Sequence, residues 1–202
     1  MRLINKQAAP VALENWTAAN PAATFATLDN SLKKNVKESL LSEQHFVCCY
    51  CENEINPNNS HIEHLRPQSK YPNEQLDYEN LMASCEANNR KAHCGHKKSK
   101  NLLPISPLGP NDPAPNFIYS ADGHIYPHPK ANRLADKTIS ILGLNASRLV
   151  NMRKAAISGL LTQPIEHLAQ VTIACTRPDA SNKLPPYSSA ILYQLRSVVV
   201  AA

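Results

Sequence analysis

Five of the six cysteines fall between Cys48 and Cys94, and only Cys175 lies elsewhere. No other feature constrains the fold of this 202-residue chain as much. Cys48 and Cys51 form a C-x2-C pair within Cys48-Cys49-Tyr50-Cys51-Glu52, the spacing at which a tight knuckle offers two thiolates to a tetrahedral zinc ion. Cys49 then points away. Cys85 and Cys94 supply the second pair across a longer loop, with His93 as the rival to Cys94 for the fourth position. Isolated cysteines are often plain buried thiols, but a C-x2-C followed by two more fits that pattern poorly. Four protein ligands leave the ion no open position, so its expected role is to fold the segment.

Six cysteines would also permit disulfides in a secreted domain. However, no apolar signal segment follows Met1-Arg2-Leu3-Ile4-Asn5-Lys6, and no stretch reaches the roughly 18 to 20 apolar residues that span a bilayer. The expectation is a soluble cytoplasmic protein with no membrane partner. With 43% hydrophobic residues the chain can bury a core, while 16 prolines against 5 glycines imply stiff connections. The formal charge of +5 suits a polyanionic partner and equally an ordinary basic protein.

Four stretches are expected. Residues 1–44 form an N-terminal arm with Pro10, Trp16 and Pro21, then a helix over 31–44 with Leu32, Val36 and Leu40 at fourfold spacing. Residues 45–103 form a polar segment dense in Cys, His and Asn. Residues 104–130 hold a Pro-rich linker and a hairpin, because Asp122-Gly123 between Phe117-Ile118-Tyr119 and Ile125-Tyr126 favours a tight turn. Residues 131–202 are expected to be helical, with Gly143 ending one helix and Pro164 and Pro186 opening others.

Between the cysteine pairs runs His61-Ile62-Glu63-His64-Leu65-Arg66-Pro67, then Asn80-Leu81, and His96-Lys97-Lys98 follows Cys94. This arrangement resembles the HNH nucleases. In that family an acidic residue beside a histidine, with a proline shortly beyond, opens the motif. An asparagine before a hydrophobic residue continues it, and a histidine or asparagine on a following helix closes it. The resemblance implies an α+β protein, with a ββα-metal finger and structural zinc inside a mostly helical chain that carries a short hairpin. It assigns His64 as the base that takes a proton from water, Glu63 and His96 as ligands of a catalytic magnesium or manganese ion, and Asn80 as a brace on the loop backbone. Neighbours on a regular strand face opposite sides, so convergence of Glu63 and His64 would need an irregular backbone. His61 is expected to be exposed or to act behind the ligands. In the commonest form of the motif a second C-x2-C carries the last ligand directly after it, whereas here residues 86–93 intervene, so Asn88, Asn89 and His93 compete with His96.

Residues 87–111 contain no acid, and Arg90, Lys91, Lys97, Lys98 and Lys100 crowd one stretch. With Arg66 they are the candidate phosphate contacts. The bland alternative is a solvated basic loop, and no aromatic series for base stacking accompanies it. Beyond the finger, Met1-Arg2-Leu3-Ile4-Asn5-Lys6 and Ile141-Leu142-Gly143-Leu144-Asn145 with Leu149 and Arg153-Lys154 resemble the PtuB-type HNH subunits of Septu and retron-associated antiphage systems. That resemblance implies an ABC-type ATPase partner, PtuA, and a DNA or RNA substrate such as tRNA. The arm around Leu13 and Trp16 is then a plausible docking surface. The rival reading is a non-catalytic zinc-dependent module that tethers such an ATPase to nucleic acid.

Overall fold

A computed structural model describes residues 1–86, 92–161 and 164–201. Asn88, Asn89, Arg90 and Lys91, named above as candidate ligands or phosphate contacts, lie outside the described residues. The chain is an α+β protein with two small antiparallel sheets among the described residues.

In the N-terminal arm, Pro10 sits at the N-cap of a helix not expected from the sequence, α1 (Val11–Ala19). Leu13 is buried in the core and Trp16 is half-buried against it. The expected second helix is α2 (Asn30–Glu43), started by the Asp29 carboxylate, which accepts from Leu32 N–H at 2.8 Å. Its buried side chains are Leu32, Val36, Leu40 and Leu41. Each is worth about 1.5–3 kcal/mol of burial.

Past α2 the buried Gln44 amide joins three elements. Its Nε2 donates to the Val47 and Ala83 carbonyls at 3.0 and 2.8 Å, and its Oε1 accepts from Ala83 N–H at 2.7 Å. This clamps the cysteine knuckle to β2 (Leu81–Cys85), which pairs antiparallel with β1 (Ser60–His64) in the register His61–Ser84, Glu63–Met82 and His64–Leu81. A short helix, α3 (Cys94–Lys98), follows.

The hairpin forms where Asp122-Gly123 places it, between β3 (Phe117–Tyr119) and β4 (Ile125–Pro127). Gly123 has φ +92°, and a Cβ there would strike the Val150 carbonyl. Four helices follow: α4 (Arg133–Leu142), capped by left-handed Gly143, then α5 (Ser147–Leu161), α6 (Leu168–Thr176) and α7 (Ser188–Ala201). The segment before α7 closes over the knuckle, with Leu184 N–H donating to His45 O at 3.1 Å and Tyr187 N–H to Glu52 O at 2.9 Å. One hydrophobic core runs from Leu13 through Val36, Leu81 and Ile125 to Leu149 and Ala190. Residues from all four expected stretches share it.

Candidate active site

The knuckle turns at Cys48–Cys51, with Glu52 N–H donating to Cys48 O at 3.0 Å and Glu52 itself at φ +60°. The sulfurs of Cys48, Cys51, Cys85 and Cys94 all lie within 4.8 Å of one another, fully enclosed. Burial raises the Cys48 thiol, but hydrogen bonds from Cys49, Cys51, Cys85 and Cys94 outweigh it and hold that thiol well below the usual range. Burial, with the same sulfur as neighbour, pushes Cys94 up. Four convergent thiols are a donor set that fits a tetrahedral metal ion. His93 lies beside the set, its Nδ1 3.3 Å from Cys94 Sγ and 3.6 Å from Cys85 Sγ. Cys49 is buried but is not one of the four.

Glu63 is 8% exposed and ringed by donors. Lys98 Nζ lies 2.9 Å from its Oε1, Tyr50 OH donates to the same oxygen at 3.2 Å, and His61 Nε2 is 3.4 Å from Oε2. Burial pushes the Glu63 carboxyl up, but His61 and Lys98 together hold it below the usual carboxylate range. Lys98 also donates to the His64 carbonyl at 2.8 Å and is 1% exposed. It therefore cannot reach a phosphate, as the basic run had suggested. Its spacing from Cys94, four residues along α3, is the signal that places it on the buried face.

The strand stays regular through Glu63 and His64, without the irregularity expected there. Both residues nevertheless line one cavity of about 360 Å³, together with Pro67, Gln68, Gly95, Ser99 and Lys100. A Cβ on Gly95 would lie 2.5 Å from Glu63 Oε2 and 2.6 Å from His61 Nε2, so a larger residue there must displace one of these side chains.

The His64 ring packs edge-on against Phe25 at 4.7 Å. Its Nε2 lies 3.0 Å from the Gln75 carbonyl, which can only accept, so this nitrogen carries the proton. Nδ1 is then the lone-pair nitrogen, and Gln68 Nε2 donates to it at 3.2 Å. Burial lowers the His64 pKa from its ordinary value, which favours the neutral ring. Asn80 holds the loop that supplies these groups: its Oδ1 accepts from Arg66 N–H at 2.7 Å, and its Nδ2 donates to the Arg66 and Glu74 carbonyls at 3.1 and 3.0 Å. Gln68, Gln75, Tyr50 and Gly95 were not singled out in the sequence, since only the fold brings them against His64 and Glu63.

His96 does not join Glu63 in a common ligand group. Its Nε2 is 2.7 Å from Glu86 Oε2, and His61, Glu86 and His96 offer one donor atom each within 4.8 Å of the others.

No family model matches the chain. A protein of Vibrio cholerae serotype O1 biovar El Tor, named for the HNH endonuclease of retron Vc95, is 33% identical over 165 residues, which cover 75% of this chain and 80% of the relative. The chain belongs to the HNH endonuclease family. An Escherichia coli protein named for the HNH endonuclease of retron Ec83 is 29% identical over 204 aligned residues, covering 76% of this chain and 78% of that protein.

In this HNH endonuclease, Lys97 and Lys100 are exposed, and Lys100 lines the cavity. Arg66 is exposed but bidentate to Glu74 at 2.8 and 2.9 Å, so its charge is already paired. Among the described residues no helix is long and apolar enough to cross a membrane.

Proposed function

We propose that this endonuclease hydrolyses phosphodiester bonds of nucleic acid with His64 as general base. The observation that carries the reading is the His64 tautomer: Nε2–H is spent on the Gln75 carbonyl, which leaves the Nδ1 lone pair, contacted by Gln68, to take a proton in a cavity shared with ionised Glu63 and with Lys100. Gln68 moves off Nδ1 as water enters, the water proton passes to Nδ1, the resulting hydroxide forms the new P–O bond, and the bond to the 3′ oxygen breaks, that oxygen leaving as an alkoxide that takes its proton from solvent water while the His64 proton returns to solvent. Of the two ligands the resemblance assigns to a divalent ion, Glu63 is paired with Lys98 and His96 stands with His61 and Glu86, so a magnesium or manganese ion would be held on the His96 side, where it would supply charge to neutralise the phosphate and the departing oxygen. Glu63 is kept ionised and fixed by Lys98, and Asn80 fixes the loop that carries Gln68 and Gln75.

On this reading β1, β2 and α3 form the ββα-metal finger, and zinc on Cys48, Cys51, Cys85 and Cys94 pins the strands to the helix. The retron names of the relatives support a role as effector of a bacterial antiphage complex. The resemblance to PtuB-type subunits supports an ABC-type ATPase of the PtuA class as partner. The substrate is DNA or RNA.

The test incubates the chain, alone and with an ABC-type ATPase of the PtuA class, with duplex DNA, single-stranded DNA and tRNA in magnesium or manganese. Wild type is expected to cut at least one class. Glu63→Ala, made together with Lys98→Met so that no buried charge is stranded, should lose cleavage while keeping nucleic-acid affinity. A wild-type assembly that binds but never cuts, with the double variant changing neither property, would establish the tethering module instead.

A further inference from the structure

Strand alternation puts His61 on the same side of β1 as Glu63, where their side chains meet. Glu86 prolongs β2 by one residue, its N–H donating to the Asn59 carbonyl at 2.8 Å, and so its carboxylate comes up beside His61. The first turn of α3 brings His96 to the same point. His61 Nδ1 is 3.5 Å from Glu86 Oε1, His96 Nε2 is 2.7 Å from Glu86 Oε2, and the two imidazole rings are 4.4 Å apart. Around a first-row dication with bonds of about 2.0–2.2 Å, neighbouring ligand atoms sit roughly 3 to 3.5 Å apart. The three donors, within 4.8 Å of one another, need only small side-chain adjustments to reach that spacing.

The surroundings favour a cation there. His61 Nδ1 is buried and has no hydrogen-bond partner, and it faces Glu86. Such a nitrogen is costly to leave unpaired, and a metal ion satisfies it. The Glu63 charge is already met by Lys98, whereas the ion pairs of Glu86 among the described residues are with the two imidazoles. Side-chain exposures of 22% for His61 and 34% for both Glu86 and His96 leave coordination positions for water and a phosphate oxygen.

We propose that His61, Glu86 and His96 together hold one first-row transition-metal dication, and that this is the ion the nuclease uses, with manganese preferred to magnesium. Two imidazoles and one carboxylate suit manganese, iron or zinc, while magnesium favours oxygen donors and sheds water reluctantly. The use of the ion rests on the nuclease reading; the site itself rests on the three side chains.

The test uses the full chain carrying one zinc per molecule by elemental analysis. Manganese chloride is titrated in, free Mn2+ is followed by electron paramagnetic resonance, and magnesium serves as competitor. Wild type should bind one Mn2+, with magnesium weaker by about tenfold or more. Glu86→Gln and His61→Asn should each weaken Mn2+ binding by about tenfold or more at unchanged zinc content. His124→Ala, on the distant hairpin, should bind as wild type does. Unchanged Mn2+ affinity in both ligand variants, or equal affinity for magnesium, overturns the proposal. Mn2+ bound through Glu86 in a protein that cuts nothing would retire the nuclease reading and leave the site. Cleavage by Glu86→Gln with unaltered metal dependence would retire the site and leave the nuclease.

Discussion

At the scale of single residues, the Glu63 carboxylate depends on the Lys98 ammonium, since both are nearly inaccessible to water and lie 2.9 Å apart. Removing one partner of a buried pair strands the other charge, so Lys98→Met should destabilise the protein by about 3–5 kcal/mol. Urea denaturation would measure the loss. Combining Lys98→Met with Glu63→Gln should recover most of it, because the stranded charge is then gone. A Lys98→Met protein as stable as wild type would mean that the pair is solvated rather than buried. Gly95 offers a second check at this scale. Gly95→Ala must displace Glu63 or His61 and should reduce cleavage about 10-fold or more in single-turnover assays, as misplacement by an ångström does. Activity equal to wild type would show that the approach of α3 to β1 is looser than described.

At the scale of elements, the cysteine set joins the knuckle, β2 and α3. Stripping the metal with a chelator should unfold the finger, which circular dichroism and a count of thiols accessible to a labelling reagent would reveal. Retention of the folded spectrum with four cysteines still protected would remove the structural metal from the account. Much at this scale was legible in the sequence. The fourfold spacing of Leu32, Val36 and Leu40 marks α2, Asp122-Gly123 marks the hairpin and Gly143 ends α4, because each signal is local. Helix α1 was not legible: Leu13 alone of its residues is fully buried, so no stripe betrays it. Nor was the group of His61, Glu86 and His96, which exists only through the register of β1 on β2 and the approach of α3. Lys98 was misjudged because a run of cations reads as surface when the helix that buries one of them is short.

At the scale of the whole molecule, the C-terminal half acts as a frame for the finger. Arg153, 2% exposed, donates to the Gly123 carbonyl at 2.5 Å and to the Leu144 carbonyl at 3.1 Å, tying the hairpin to α4 and α5. Gly143 in turn meets the Lys97 side chain, which links this frame to α3. Arg153→Met leaves two buried carbonyls unpaired and should cost about 2–4 kcal/mol, read as a lower melting temperature. Zinc content should hold, since no cysteine of the cluster touches Arg153 through the bonds described. Loss of zinc in a folded Arg153→Met protein would show that the frame and the finger are more tightly linked than these contacts indicate. The central claim concerns His64, and the most direct measurement is the single-turnover cleavage rate of His64→Ala against wild type, with the proposed ATPase partner present and metal content matched. The account predicts a rate lower by about 10²- to 10⁴-fold with nucleic-acid affinity unchanged. Undiminished cutting by the purified variant would contradict it.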